Sequence, residues 1–415
     1  MRLTTWLPSA PAIAIVLAAF TFHPRPVHAQ TTWNFEQILQ SALASHPALQ
    51  GKRSAQDAAR ANLEGAKWQR YPTLSVEGAK PSSHQNSALV RIEQPLWSGG
   101  RISAGIDAAG NRLGAADAAL DEERLNLALR VIAAYSEALR QRGRQQYASQ
   151  GVQEHQKLLN IIRRRVTQEV SSQTDLRLAE ARLYQAANDQ SAATQAFSNA
   201  LTQLSQLAGK PVIAISSLEL NELNTPASLE VALPQALSYS PSLRRLGQEE
   251  LAADADIVGK RAVYMPQLAL RLEKSTGQFN DSRAMLVLFA QPGAGLSALS
   301  GVSAALAKRE ALRMEHQAAE RDTRERVTLD WTEWAAAGLR VDNAGRSSTM
   351  STDVFESYTR QYVIGRKTWN DVLNAVREAT QSQFALEDAR AQTIAASLRL
   401  SAQTGTLKQI ASTAP

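Results

Sequence analysis

Apolar residues recur along this chain with two different periods. In three short stretches they alternate with polar ones: Leu74 and Val76 with Thr73, Ser75 and Glu77, Val90 and Ile92 with Arg91 and Glu93, and Leu268, Leu270 and Leu272 with Gln267, Arg271 and Glu273. A period of two predicts strands with one apolar face, paired as hairpins over 72–97 and 266–290. A fourth stretch, Ala284–Ala290, is nearly all apolar and alternates poorly, so its strand is the least marked. Elsewhere the period is seven. Leu176, Leu183, Phe197 and Leu204 form one ladder, and Ala179, Ala186, Ala193, Ala200 and Leu207 a second beside it. Val372, Ala379, Leu386 and Leu400 repeat the first ladder later in the chain. Two ladders, one mostly alanine, predict a helix packed at close range on both flanks, since a two-stranded coiled coil needs one seam. Residues 100–165 lack proline and 173–208 lack proline and glycine, so long helical hairpins are expected over 100–208 and 297–405.

The same order of elements is written twice. A shift of 194 residues lays Phe35-Glu36 on Leu229-Glu230, His46-Pro47 on Ser240-Pro241 and Pro72-Thr73-Leu74 on Pro266-Gln267-Leu268; the shift drifts to 196 by Ser172-x-x-Asp175 and Thr368-x-x-Asp371. A collinear series of this kind marks an internal duplication. The expected segments are a first repeat over 30–210, a connector over 211–228, a second repeat over 229–405 and a tail over 406–415. A helix of about 66 residues spans about 100 Å. The shorter helices before and after each strand pair, stacked end to end, match that length.

Composition narrows the function. Met1–Ala29 has a basic start, an apolar run and small residues before Gln30, the pattern of an export signal. The net charge of +6 on 415 residues is too mild for a nucleic-acid binder. With no cysteine there is no disulfide, thiolate metal site or lipid-bearing N-terminal Cys. After the signal, four scattered histidines without ligand spacing offer no catalytic or metal site, and no cofactor is implied. An exported chain with four amphipathic strands cannot seal itself in lipid, because a membrane barrel has to close and needs about eight strands or more. Three chains would supply twelve. Trp68, Tyr71, Trp97 and Tyr264 lie where an interfacial aromatic girdle is expected, although aromatics near helix ends also serve as ordinary core. Ser172-x-x-Asp175 and Thr368-x-x-Asp371 are capping boxes at the starts of helices after tight turns.

With its duplicated layout, its Tyr-Pro-x-Leu strand entry, Gln94-Pro95-Leu96-Trp97-Ser98-Gly99-Gly100-Arg101 and the 365–378 segment, the chain resembles TolC-type outer-membrane channel proteins of Gram-negative bacteria. The resemblance implies a mainly α fold with a small transmembrane β part. Long antiparallel helical hairpins form an α-barrel in the periplasm, and four strands per protomer join a trimeric twelve-stranded barrel. The implied partners are a periplasmic adaptor, an inner-membrane ABC or other translocase, two further copies of the chain, and outer-membrane lipid. By the same resemblance Asp371, followed one turn on by Asn374, marks the narrowest point of the periplasmic tip. Tyr362, Lys367 and Asp175 form a latch holding the tip closed, and Gly365 and Glu169 are the adaptor-docking positions. The missing lipid-bearing Cys and the Gln291-Pro292-Gly293 helix entry resemble secretion-associated members, which puts type I protein secretion first and small-molecule efflux second. A periplasmic coiled-coil adaptor without a pore is the competing class, and the duplication argues against it.

Overall fold

The computed structural model describes residues 32–79, 87–218, 225–276, 281–290 and 297–407. The expected export signal, the 81–86 turn, the Gln291–Leu296 helix entry and parts of the connector and tail lie outside the described residues.

Each repeat begins with two helices sharing one cap. In the first, α1 (Phe35–Ser45) starts at Asn34, whose side chain and that of Gln37 each bond the other's backbone N–H. His46 then ends α1 and opens α2 (Pro47–Trp68), its Nδ1 accepting from Ala48 N–H at 3.2 Å. Proline in the first turn has no N–H to lose and is preset for helix, so a break here costs little. Ser240-Pro241 repeats the device between α5 (Leu229–Tyr239) and α6 (Pro241–Arg261).

The strands β2 (Thr73–Ala79), β3 (Ser87–Trp97), β5 (Gln267–Thr276) and β6 (Asp281–Phe289) form one antiparallel sheet in the order β2-β3-β5-β6. The least marked strand of the sequence, β6, pairs with β5 through nine residues without a break. It lacks alternation at Val287 and Phe289 because both faces of that stretch are apolar. Two elements were not legible: β1 (Thr32–Trp33) and β4 (Ala214–Ile215) pair in parallel and anchor the connector. Tyr135 Oη donates to Ser216 O at 3.0 Å and Arg142 to Ile215 O at 2.7 Å, which ties that segment to the long helix that carries Tyr135 and Arg142.

The long helices are α3 (Arg101–Thr167), α4 (Gln173–Ala208), α7 (Ser297–Val363) and α8 (Trp369–Gln403). Lengths of 67 residues for α3 and α7 agree with the expected span, and α2 with α4, and α6 with α8, run along them as stacked pairs. The two copies differ in one respect. Helix α8 packs on both α3 and α7, and its ladder of Val372, Ala379, Leu386 and Leu400 is fully buried. Helix α4 packs mainly on α3, and Leu176, Leu183 and Phe197 remain only partly buried. Packing on both flanks is thus realised in α8 but only on one side of α4. Helix α7 leaves Leu299, Leu306, Leu329 and Leu339 exposed. Among the described residues no helix is long and apolar enough to cross a membrane.

Candidate functional site

Two regions carry the chemistry: the sheet and the paired turns at the opposite end of the long helices. In the sheet, register sorts the side chains cleanly. Leu74 lies opposite Ile92, Ile92 opposite Leu272 and Leu270 opposite Leu286, so one face is apolar from edge to edge. It is also bare, with Leu286 and Leu288 at 66% and 67% exposure. The other face carries Glu77, Arg91, Glu93, Arg271 and Glu273. Arg91 Nε meets Glu273 Oε1 at 2.7 Å and Glu77 at 3.5 Å, and Arg271 meets Glu93 at 2.8 Å. A sheet dry on one face and ion-paired on the other suits a wall between lipid and water. The outer strands β2 and β6 keep unpaired edges and run in opposite directions, so copies joined edge to edge continue the antiparallel pattern.

At the sheet's base, Trp68, Tyr71 and Trp97 are exposed as a girdle requires, with Trp68 and Tyr71 rings 5.1 Å apart. Tyr264 departs from that expectation. It is half-buried in a short 3₁₀ turn, and its hydroxyl is enclosed without a partner. Gly99, at φ +62°, lets β3 turn into α3, and a Cβ there would lie 2.5 Å from that of Met265.

The two turns at the tip have one construction. After α3, Glu169 N–H bonds Val166 O and Val170 N–H bonds Arg165 O; after α7, Gly365 N–H bonds Tyr362 O and Arg366 N–H bonds Gln361 O. Both are Schellman endings, which place one residue in the left-handed region. Glycine does this freely at Gly365 (φ +76°), whereas Glu169 is forced to φ +61°. Three residues on, the capping boxes form as expected. Ser172 Oγ accepts from Asp175 N–H at 3.1 Å, and Thr368 Oγ from Asp371 N–H at 3.2 Å. Asp371 also accepts from Thr368 Oγ at 2.8 Å and Thr368 N–H at 3.0 Å. Those bonds, with Lys367 nearby, hold its carboxyl below the usual carboxylate range. Asn374, one turn further, is exposed and neutral.

The expected latch is rearranged. No ion pair joins Lys367 to Asp175 among the described residues: Lys367 Nζ sits 4.1 Å over the Tyr358 ring, and Asp175 is engaged by its own cap. Tyr362 does reach the first hairpin, through residues not anticipated. Its hydroxyl lies 3.5 Å from Ser171 Oγ, the Arg165 guanidinium lies 4.9 Å over its ring, and the Trp369 ring lies 5.2 Å from its own. Arg165 belongs to the run Arg163-Arg164-Arg165, which by sequence suits a solvated or pore-facing stripe, and only tertiary placement brings it onto Tyr362. Beneath these contacts Leu158, Leu159 and Ile162 pack with Val372, Leu373 and Val376, joining the hairpins. Between the turns lies a cleft of about 570 Å³ lined by Glu169, Val170, Asp175, Gly365, Lys367 and Trp369, among others.

Comparison with known proteins places these features in context. Residues 38–210 match the model of the family described as outer membrane efflux protein. The chain is 27% identical over 335 residues to the nickel-cobalt-cadmium resistance protein NccC of Alcaligenes xylosoxydans xylosoxydans, covering 76% of this chain and 74% of NccC. It is 26% identical to the nickel and cobalt resistance protein CnrC of Cupriavidus metallidurans, covering 69% of this chain and 72% of CnrC. Its fold matches a crystal structure of CusC with a TM-score of 0.81 at 16% identity, over 89% of this chain and 91% of that one.

Proposed function

We propose that the chain is an outer membrane efflux protein, as the match of residues 38–210 to that family and the likeness of its fold to an outer-membrane channel support, and that it is the exit duct of a tripartite machine expelling divalent metal cations. Efflux thereby replaces type I protein secretion as the leading reading, since the named relatives are metal-resistance proteins and none is a secretion component.

The sheet with one bare apolar face, one ion-paired face and two open edges is the observation that carries the duct. Three copies would close twelve strands, and the open flank of α4 would take the place against the next copy's α7 that α8 holds within one chain. The apolar face then meets lipid and the charged face lines water. At the tip, three Asp371 carboxylates around the axis would form an anionic ring, charged throughout the periplasmic pH range and attractive to cations. Asn374 adds no charge, so that ring is single. The cleft between the turns, with Gly365 backbone and Glu169 on its walls, is the proposed seat for the adaptor, whose arrival would compete for Tyr362 and Ser171. The inner-membrane translocase would choose the cargo.

Deleting the gene tests this. Nickel, cobalt and cadmium should inhibit growth at several-fold lower concentrations and accumulate in cells, while the set of secreted proteins stays unchanged. Unaltered metal tolerance with lost secretion would reverse the assignment.

A further inference from the structure

Between α3, α4 and α8, above the apolar cluster of the tip, the wall holds a cavity of about 80 Å³, room for two or three waters. His155 of α3 lines it. The imidazole is more than nine-tenths buried, and its Nδ1 has no hydrogen-bond partner. Gly151, one turn earlier, lies beside Thr380 of α8, so α3 and α8 lie close here, while α4 and α8 touch each other little. The position falls on the seam joining the two hairpins, between the Arg144–Asp388 ion pair on one side and the Leu158–Ile162 cluster on the other.

We propose that His155 is an acid-sensitive fastening of this seam: neutral, it allows α8 to lie against α3; protonated, it drives them apart and frees the second hairpin near the tip. This inference rests on the duct reading. The surroundings fix the sign. Burial disfavours the imidazolium, and Arg182 of α4 disfavours it further, held by its bond to Gln185 at 2.9 Å. Arg377 of α8 lines the same cavity. Asp189 of α4 and Glu154 of α3 oppose them with a smaller effect, so His155 titrates below its ordinary value of 6.5. A group whose affinity for a proton is lowered by packing contributes fully above about pH 6.5 and loses its contribution as pH falls below that. A proton arriving there sets a third cation beside two guanidiniums, and the relief is water entry as the helices part.

The full-length chain in planar bilayers tests the proposal. Lowering the pH from 7.5 to 5.5 should raise open probability several-fold, because pH 5.5 lies below the ordinary imidazole value. His155→Gln should abolish the response, and His155→Arg should be open at pH 7.5. The chain has no cysteine, so Thr380→Cys gives a reading free of conduction: its maleimide labelling at pH 5.5 should be several-fold faster with His155 than in the His155→Gln background. An acid response retained in His155→Gln, or equal labelling in both backgrounds, overturns the proposal, even where His155→Arg fails to assemble. Acid-dependent labelling in a protein that never conducts would keep the fastening and sink the duct, whereas conduction indifferent to pH would do the reverse.

Discussion

Glu169 and Gly365 occupy equivalent places in duplicated turns, yet only one is suited to the left-handed backbone both adopt. An L side chain in that region costs about 1–2 kcal/mol. Glu169→Gly should therefore stabilise the first turn by about 1 kcal/mol, slowing amide exchange across 163–172 about fivefold. No such gain exists at Gly365, where alanine should destabilise by a similar amount. The carboxyl of Asp371 gives a second expectation. Its affinity for protons is lowered by the Thr368 hydroxyl and backbone N–H, so the cap is complete above the ordinary value of 3.8 and is lost as pH falls through its lower folded value. Exchange in 368–376, corrected for intrinsic rates, should rise only in strong acid. Asp371→Asn should show the raised rate at neutral pH and little dependence on pH. Those residues could be named from sequence because a capping box is a local motif, complete within four positions.

At the scale of elements, the sheet makes the sharpest prediction. Leu286 and Met285 are neighbours on β6 that point to opposite faces. If the apolar face meets hydrocarbon, Leu286→Arg should cost about 2–4 kcal/mol in unfolding from lipid, and Met285→Arg, facing the water side, under about 1. Equal costs would mean that the apolar face is covered by protein rather than lipid. Among the helices, Gly143 faces Glu387 so closely that a Cβ would lie 2.3 Å from its carboxylate. Gly143→Leu should push α3 from α8 and destabilise by about 1–3 kcal/mol in a denaturant titration. Strand β6 also shows where periodicity misleads. Alternation reports a strand only when its two faces meet different solvents, and the apolar 284–290 segment gave weak evidence for an element that pairs throughout.

The whole molecule is unfinished as one chain. Its sheet has two open edges, α4 has an open flank, and α7 carries a line of exposed leucines. Each lack matches a surplus elsewhere in the same chain, which is what a closed ring of copies requires. A cysteine at Ser75 on β2, combined with a scan of single cysteines along β6, should yield intermolecular disulfides at one register. Under denaturing electrophoresis the resulting ladder should stop at three chains. A ladder continuing past three, or none at any register, would exclude the twelve-stranded barrel.

The sequence by itself determined the duplication, the strand pairs, the lengths of the helices and the boxes that start them. The strand pairs and the boxes are written in residues within a few turns of one another, the helix lengths in long runs free of proline, and the duplication in the likeness of the two halves. Tertiary structure alone decided that Lys367 lies on Tyr358 and not against Asp175, that Arg165 and Ser171 are the partners of Tyr362, and that His155 faces a cavity walled by α4 and α8. Tyr362 and Ser171 stand 191 residues apart. Their meeting depends on the rotation and axial offset of two long helices. Repeated alanine and leucine ladders leave that offset open, because many registers pack almost equally well. Only the sum of contacts along the α3–α8 seam, from the Arg144–Asp388 pair down to the tip cluster, selects one.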